Sequence, residues 1–112
     1  MRACDLTGAI LDYWVARVLK LSLPLIVEKP QPGCLVRESN GKDTFFSPST
    51  NWEQGGPLIE QERLWLRPGI NDWYSLTANE DCYATGDTPL ISAMRCLVLS
   101  KIVGEELPNE WA

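Results

Sequence analysis

The hydrophobic positions of this chain change their period twice. From Thr7 to Lys20, "TGAILDYWVARVLK", residues Leu11, Trp14, Val15 and Val18 recur at helical spacing, with Asp12, Ala16 and Lys20 on the opposite side, which predicts an amphipathic helix. Thr7 is placed to cap it, and Leu6 and Leu11 can close a hydrophobic staple around its first turn. A second helix is predicted over "TPLISAMRCLVLSKIVG", with Thr88 at the N-cap, Pro89 at the first helical position and Gly104 as the C-cap. Its apolar face, formed by Leu90, Ile91, Met94, Leu97, Val98 and Ile102, is wide enough that Lys101 at the edge must snorkel into water.

Between the two helices the period falls to two. "CLVRESNGKDTFFS" reads as a hairpin around Asn40-Gly41 in a type I′ turn, a register that sets Val36 against Phe45, Leu35 against Phe46 and Glu38 against Asp43. "ERLWLRP", "WYSLTA" and "CYATG" are further strands, separated by the turn signals "PGIND" and "NED". Leu23 to Val27 is expected at a sheet edge, because Pro24 has no N–H to give to a ladder. The pattern is therefore that of an α+β fold: a small antiparallel sheet of four to six strands, one face covered by an N-terminal and a C-terminal helix. A length of 112 residues suits a single domain over 1–112, with 105–112 as an acidic tail that holds Trp111.

Composition narrows the function classes. Hydrophobic content of 45% and charged content of 22% are globular values, not those of a disordered chain. A net charge of -5 has the wrong sign for a dedicated nucleic-acid binder. The best apolar run, Leu21 to Val27, is too short for a membrane span, and Asp5 and Asp12 break the stretch a signal peptide would need, so a cytoplasmic protein is expected. Cys4, Cys34, Cys82 and Cys96 show no C-x-x-C spacing and there is no histidine, so neither a metal site nor a cofactor is expected; the thiols read as buried or incidental. Catalysis lacks a histidine base, a nucleophile pair and a phosphate-binding glycine loop; Glu60, Glu62 and Asp87 are the acid–base groups left. Binding without turnover is the expected class.

The chemistry concentrates in "FSPSTNWEQGGP", Phe46 to Pro57. As a corner, Ser47 or Ser49 caps a helical turn, Pro48 begins it, Gly55-Gly56 reverse the chain and Trp52 plugs one end of the core. As a site, the hydroxyls of Ser47, Ser49 and Thr50, the Asn51 side chain and the bare amides of Gly55 and Gly56 offer dipoles to phosphate or carbonyl oxygens, while Trp52 stacks a base or sugar. "GDTP" is a second helix start, in which Asp87 can hold a ribose hydroxyl and Thr88 caps. Arg63, Arg67 and Arg95 are the cations suited to an anionic ligand, Arg95 first among them.

"DLTG", "SPSTNWEQGGPLIE" and "GDTPLISAMR", in that order and spacing, resemble the NinX-like small proteins of bacteriophages and prophages, a likeness that covers Asp5 to about Gly104. The resemblance implies a virus-encoded accessory protein at work inside a bacterial cell, outside the virion, and brings no activity with it. Asn51 departs from the aspartate that family pattern leads one to expect, which removes a charge and leaves the motif to act through its dipoles. In style the chain is also similar to small phage α+β proteins that sequester nucleotide-derived immune signals of the host. Two binding classes follow: capture of a nucleotide-like small molecule at the central motif and Asp87, or an adaptor that grips a host or phage protein through exposed Trp65, Trp73 or Trp111. Homo-oligomerisation that covers the Leu23–Val27 edge suits both.

Overall fold

The computed structural model describes residues 2–28 and 31–102. The C-cap read at Gly104 and the tail with Trp111 lie outside the described residues. A single 3-10 turn, Ala3–Asp5, precedes helix α1 (Gly8–Val18); β1 (Leu25–Val27), β2 (Gly33–Arg37) and β3 (Asp43–Phe45) follow. After the central motif come helix α2 (Trp52–Glu62), strands β4 (Trp65–Pro68), β5 (Trp73–Leu76) and β6 (Tyr83–Gly86), and helix α3 (Pro89–Lys101). The α+β class holds, but the described strands form two three-stranded antiparallel sheets, β1-β2-β3 and β4-β5-β6, rather than one. The central motif is the reason for the break: residues 46–64 leave the first sheet to build α2 before the second sheet begins.

Each terminal helix covers its own sheet. Helix α1 packs on β1 and β2, α3 on β4, β5 and β6, and the two helices pack on each other. Leu11, Val15, Met94, Leu97 and Val98 meet in this shared core. Burial therefore surrounds α1: Asp12, Tyr13 and Ala16 are as buried as the predicted stripe, so the polar side expected at Asp12 and Ala16 does not face water.

Local chemistry explains most boundaries. Thr88 accepts from the Ile91 N–H and Pro89 opens α3, as the sequence predicts. Thr7 precedes α1 without a side-chain cap bond, and Gly8 takes a left-handed φ of 59° there. The hairpin differs by one residue: Leu35 faces Phe45, Val36 faces Thr44 and Arg37 faces Asp43. Its loop has three residues, Ser39 to Gly41, with the left-handed φ of 83° at Gly41 alone, so the two-residue type I′ turn is replaced by the longer loop. The expected clash of Glu38 with Asp43 becomes an Arg37–Asp43 ion pair at 2.9 Å. Strand β1 lies at a sheet edge as expected, but it begins at Leu25, after Pro24, so the expected span from Leu23 is two residues too long.

Candidate functional site

The central motif is a turn followed by a helix, not a loop. The Ser47 carbonyl accepts from the N–H groups of Thr50 and Asn51, and Asn51 then caps α2 by accepting from Glu53 N–H. Gln54 reaches back to the Ser47 N–H and donates to the Phe45 carbonyl at 3.0 Å, fixing the turn against the end of β3. These bonds let a helix form through Gly55, Gly56 and Pro57, against their low propensity. The two glycines thus sit inside α2 and do not reverse the chain. At Gly55 a Cβ would collide with the Pro48 carbonyl and with Leu90 Cδ2, so the missing side chain lets α2 lie close to both the turn and α3. Gly56 lies under the Trp52 ring, which a Cβ would meet at 4.0 Å. Trp52 itself is 54% exposed, so the indole does not plug the core.

The floor of the motif comes from a residue that the sequence pattern had assigned to water. Asp12 of α1 is 4% exposed, and its Oδ1 accepts from the Ser49 N–H at 2.9 Å. Burial pushes its carboxyl up from 3.8 to about 6, against the lowering effect of the Ser49 N–H and hydroxyl. The Ser49 hydroxyl is sealed from solvent beside this carboxyl without completing a hydrogen bond. On the other side, burial and then the Asp12 charge push the Cys34 thiol of β2 up to about 11. An aspartate flanked by Leu11, Tyr13 and Trp14, and one helical turn from Val15 and Ala16, is the signal that could have marked this position as enclosed.

Above that floor, Ser49, Thr50 and Trp52 share a cleft of about 220 Å³ with Thr88, Pro89, Leu90 and Ile91. The mouths of α2 and α3 therefore meet, and residues of both sequence motifs line one space. Of the first amides of α3, Pro89 has none, Ile91 donates to the Thr88 hydroxyl and Ser92 to its carbonyl, which leaves that of Leu90. Leu90 and Ile91 entered the sequence reading only as core residues. The remaining candidates lie elsewhere: Ser47, Asn51 and Gly55 are engaged in the turn and helix, and exposed Asp87 stands outside the cleft lining. Arg95 is structural, donating from Nε to the Leu6 carbonyl and from Nη1 to the Thr85 carbonyl, both at 2.8 Å. A larger cavity of about 540 Å³ beside β6, whose lining includes Arg2, Cys4 and Cys82, holds none of the predicted residues.

The sequence model of the family described as Bacteriophage P22, NinX matches residues 2–101, which span every element above. The chain belongs to the NinX family. No curated protein matches it at a significant level. Within this NinX protein the asparagine at 51 performs the capping role an aspartate would, since both side chains offer an oxygen to the Glu53 N–H. Among its described residues no three Cys, Asp or Glu side chains gather as a metal would require, and no helix is long and apolar enough to cross a membrane.

Proposed function

We propose that this NinX protein binds rather than converts its ligand, holding part of a nucleotide-like small molecule in the cleft between α2 and α3. The observation that carries the reading is the convergence of Ser49, Thr50 and Trp52 with Thr88 to Ile91 around one space. An exposed indole supplies a stacking surface worth about 1–3 kcal/mol per base. Two helix N-termini favour oxygen-rich or anionic groups, and the threonine hydroxyls and the Leu90 amide supply direction. At about 220 Å³ the cleft suits one base or sugar, with the rest of a larger ligand lying outside it. Inside an infected bacterium, tight holding without turnover would withdraw a host signal.

A thermal-shift screen with nucleosides, mononucleotides and cyclic dinucleotides tests this. Ligand at about a hundred times its Kd adds about 2.7 kcal/mol, a rise in Tm of roughly 10 °C for a domain of this size. Trp52→Ala and Thr88→Val are expected to abolish most of that rise. A screen in which no compound moves Tm, or in which both variants respond like the wild type, refutes the assignment.

A further inference from the structure

The register of the second sheet sorts its side chains into two faces. Leu66, Ser75 and Ala84 stand in one row, turned toward the core under α3. On the other face Trp65, Leu76 and Tyr83 form one row and Arg67, Tyr74 and Thr85 the next. An antiparallel sheet with one open face normally makes that face polar. Here it carries Trp65 at 60% exposure and Tyr83 at 61%, with the Tyr74 and Tyr83 rings stacked at 6.2 Å. Ile70 at the β4–β5 tip is 98% exposed, and a cavity shared with Tyr74 joins it to the same surface. Such a patch serves no purpose in the fold and lowers solubility.

Charge gives the patch a direction. Among the described arginines, Arg17 lies over Tyr13 and Trp14, Arg37 pairs with Asp43 and Arg95 donates to two carbonyls. Arg67, in the outer row beside Tyr74, and Arg63, at the end of α2 two residues before Trp65, have no side-chain acceptor among the described residues. Strand β4 is also an edge, so the ladder beside these residues is open on one side. Tryptophan, tyrosine and arginine are the residues that dominate protein interfaces.

We propose that the outer face of the second sheet docks an extended acidic segment of a partner protein, with Trp65, Tyr74 and Tyr83 as anchors and Arg63 and Arg67 pairing its carboxylates. The stacked tyrosines would also suit nucleobases, but Ile70 and Leu76 give the patch aliphatic surface on which no base stacks. The surface is separate from the α2–α3 cleft, so it stands or falls independently of the ligand.

Panning the full chain against a displayed library of random short peptides tests it, followed by affinity measurements on synthetic copies of the enriched sequences. Enrichment of acidic peptides carrying apolar residues is expected, with affinity falling roughly tenfold in Trp65→Ala and in Arg67→Glu, falling with added salt, and unchanged in Trp52→Ala. Trp65 and Arg67 are exposed, so both variants should fold, as melting curves will check; Tyr83→Ala supplies a third probe. No enrichment, enrichment of neutral or basic peptides, or loss of binding only in Trp52→Ala overturns the proposal. So does tight binding of a labelled oligothymidine that Arg67→Glu abolishes, or a dimer in sedimentation that Trp65→Ala dissolves, since these assign the face to nucleic acid or to a second copy.

Discussion

Asp12 shows how one enclosed carboxyl can be read in solution. The folded protein holds its proton more tightly than the unfolded chain, at about 6 against 3.8, so the stability gained is complete below about pH 4 and is lost as the pH rises through about 6. Asp12→Asn keeps the oxygen that Ser49 N–H needs and removes the titration. Denaturation of both proteins should give a stability difference that moves by roughly 2–3 kcal/mol in favour of the variant between about pH 4 and 7. Parallel pH profiles would mean that Asp12 titrates as an ordinary exposed carboxyl. The two glycines make a second residue-scale test. Gly55→Ala forces a methyl into the Pro48 carbonyl and should cost about 2–3 kcal/mol, whereas Gly56→Ala meets only the Trp52 ring at ordinary distance and should gain up to about 1 kcal/mol from helix propensity. Equal melting temperatures for the two variants would show that α2 is not held so closely. Neither glycine role was legible in the sequence, because "GG" before proline signals a turn unless the bonds from Gln54 and Asn51 are known.

At the scale of elements, two helices end on side chains that glycine would replace with profit. Lys20, at φ 61°, sends its N–H to the Arg17 carbonyl while Leu21 reaches Ala16; Arg63, at φ 55°, repeats the pattern with Glu60 and Ile59. A left-handed conformation costs a residue with a Cβ about 1 kcal/mol, so Lys20→Gly and Arg63→Gly should each raise stability by about that amount in urea melts. A loss in either case would show that the side chain holds the helix end in some other way. The starts of α1 and α3 were legible from local signals such as Thr88-Pro89, and the strands from alternation at "ERLWLRP", "WYSLTA" and "CYATG". The hairpin register was not, because Asn40-Gly41 fits a two-residue turn as well as the three-residue loop that forms. Helix α2 was hidden for a different reason: its stability comes from contacts with β3 and α3, which no local pattern encodes.

For the whole molecule, what escaped sequence reasoning was the division into two sheets and the packing of α2 on α3 that brings the two motifs to one cleft. Periodicity counts strands but says nothing about which edge pairs with which. The meeting of "SPST" with "TPLI" depends on α2 lying against α3, which Gly55 permits by lacking a side chain. That a strand tryptophan stays exposed was legible, but whether Trp65 or Trp73 was not: the register decides for Trp65 and sets Tyr74 and Tyr83 beside it. Helix α3 has a further consequence through its place in the chain. It braces the second sheet, touches α1 and forms one wall of the cleft, yet translation delivers it after both sheets and the other two helices. A nascent chain halted before Pro89 carries β4, β5 and β6 without the helix that covers their inner face, so the second sheet cannot close its core until α3 has left the ribosome.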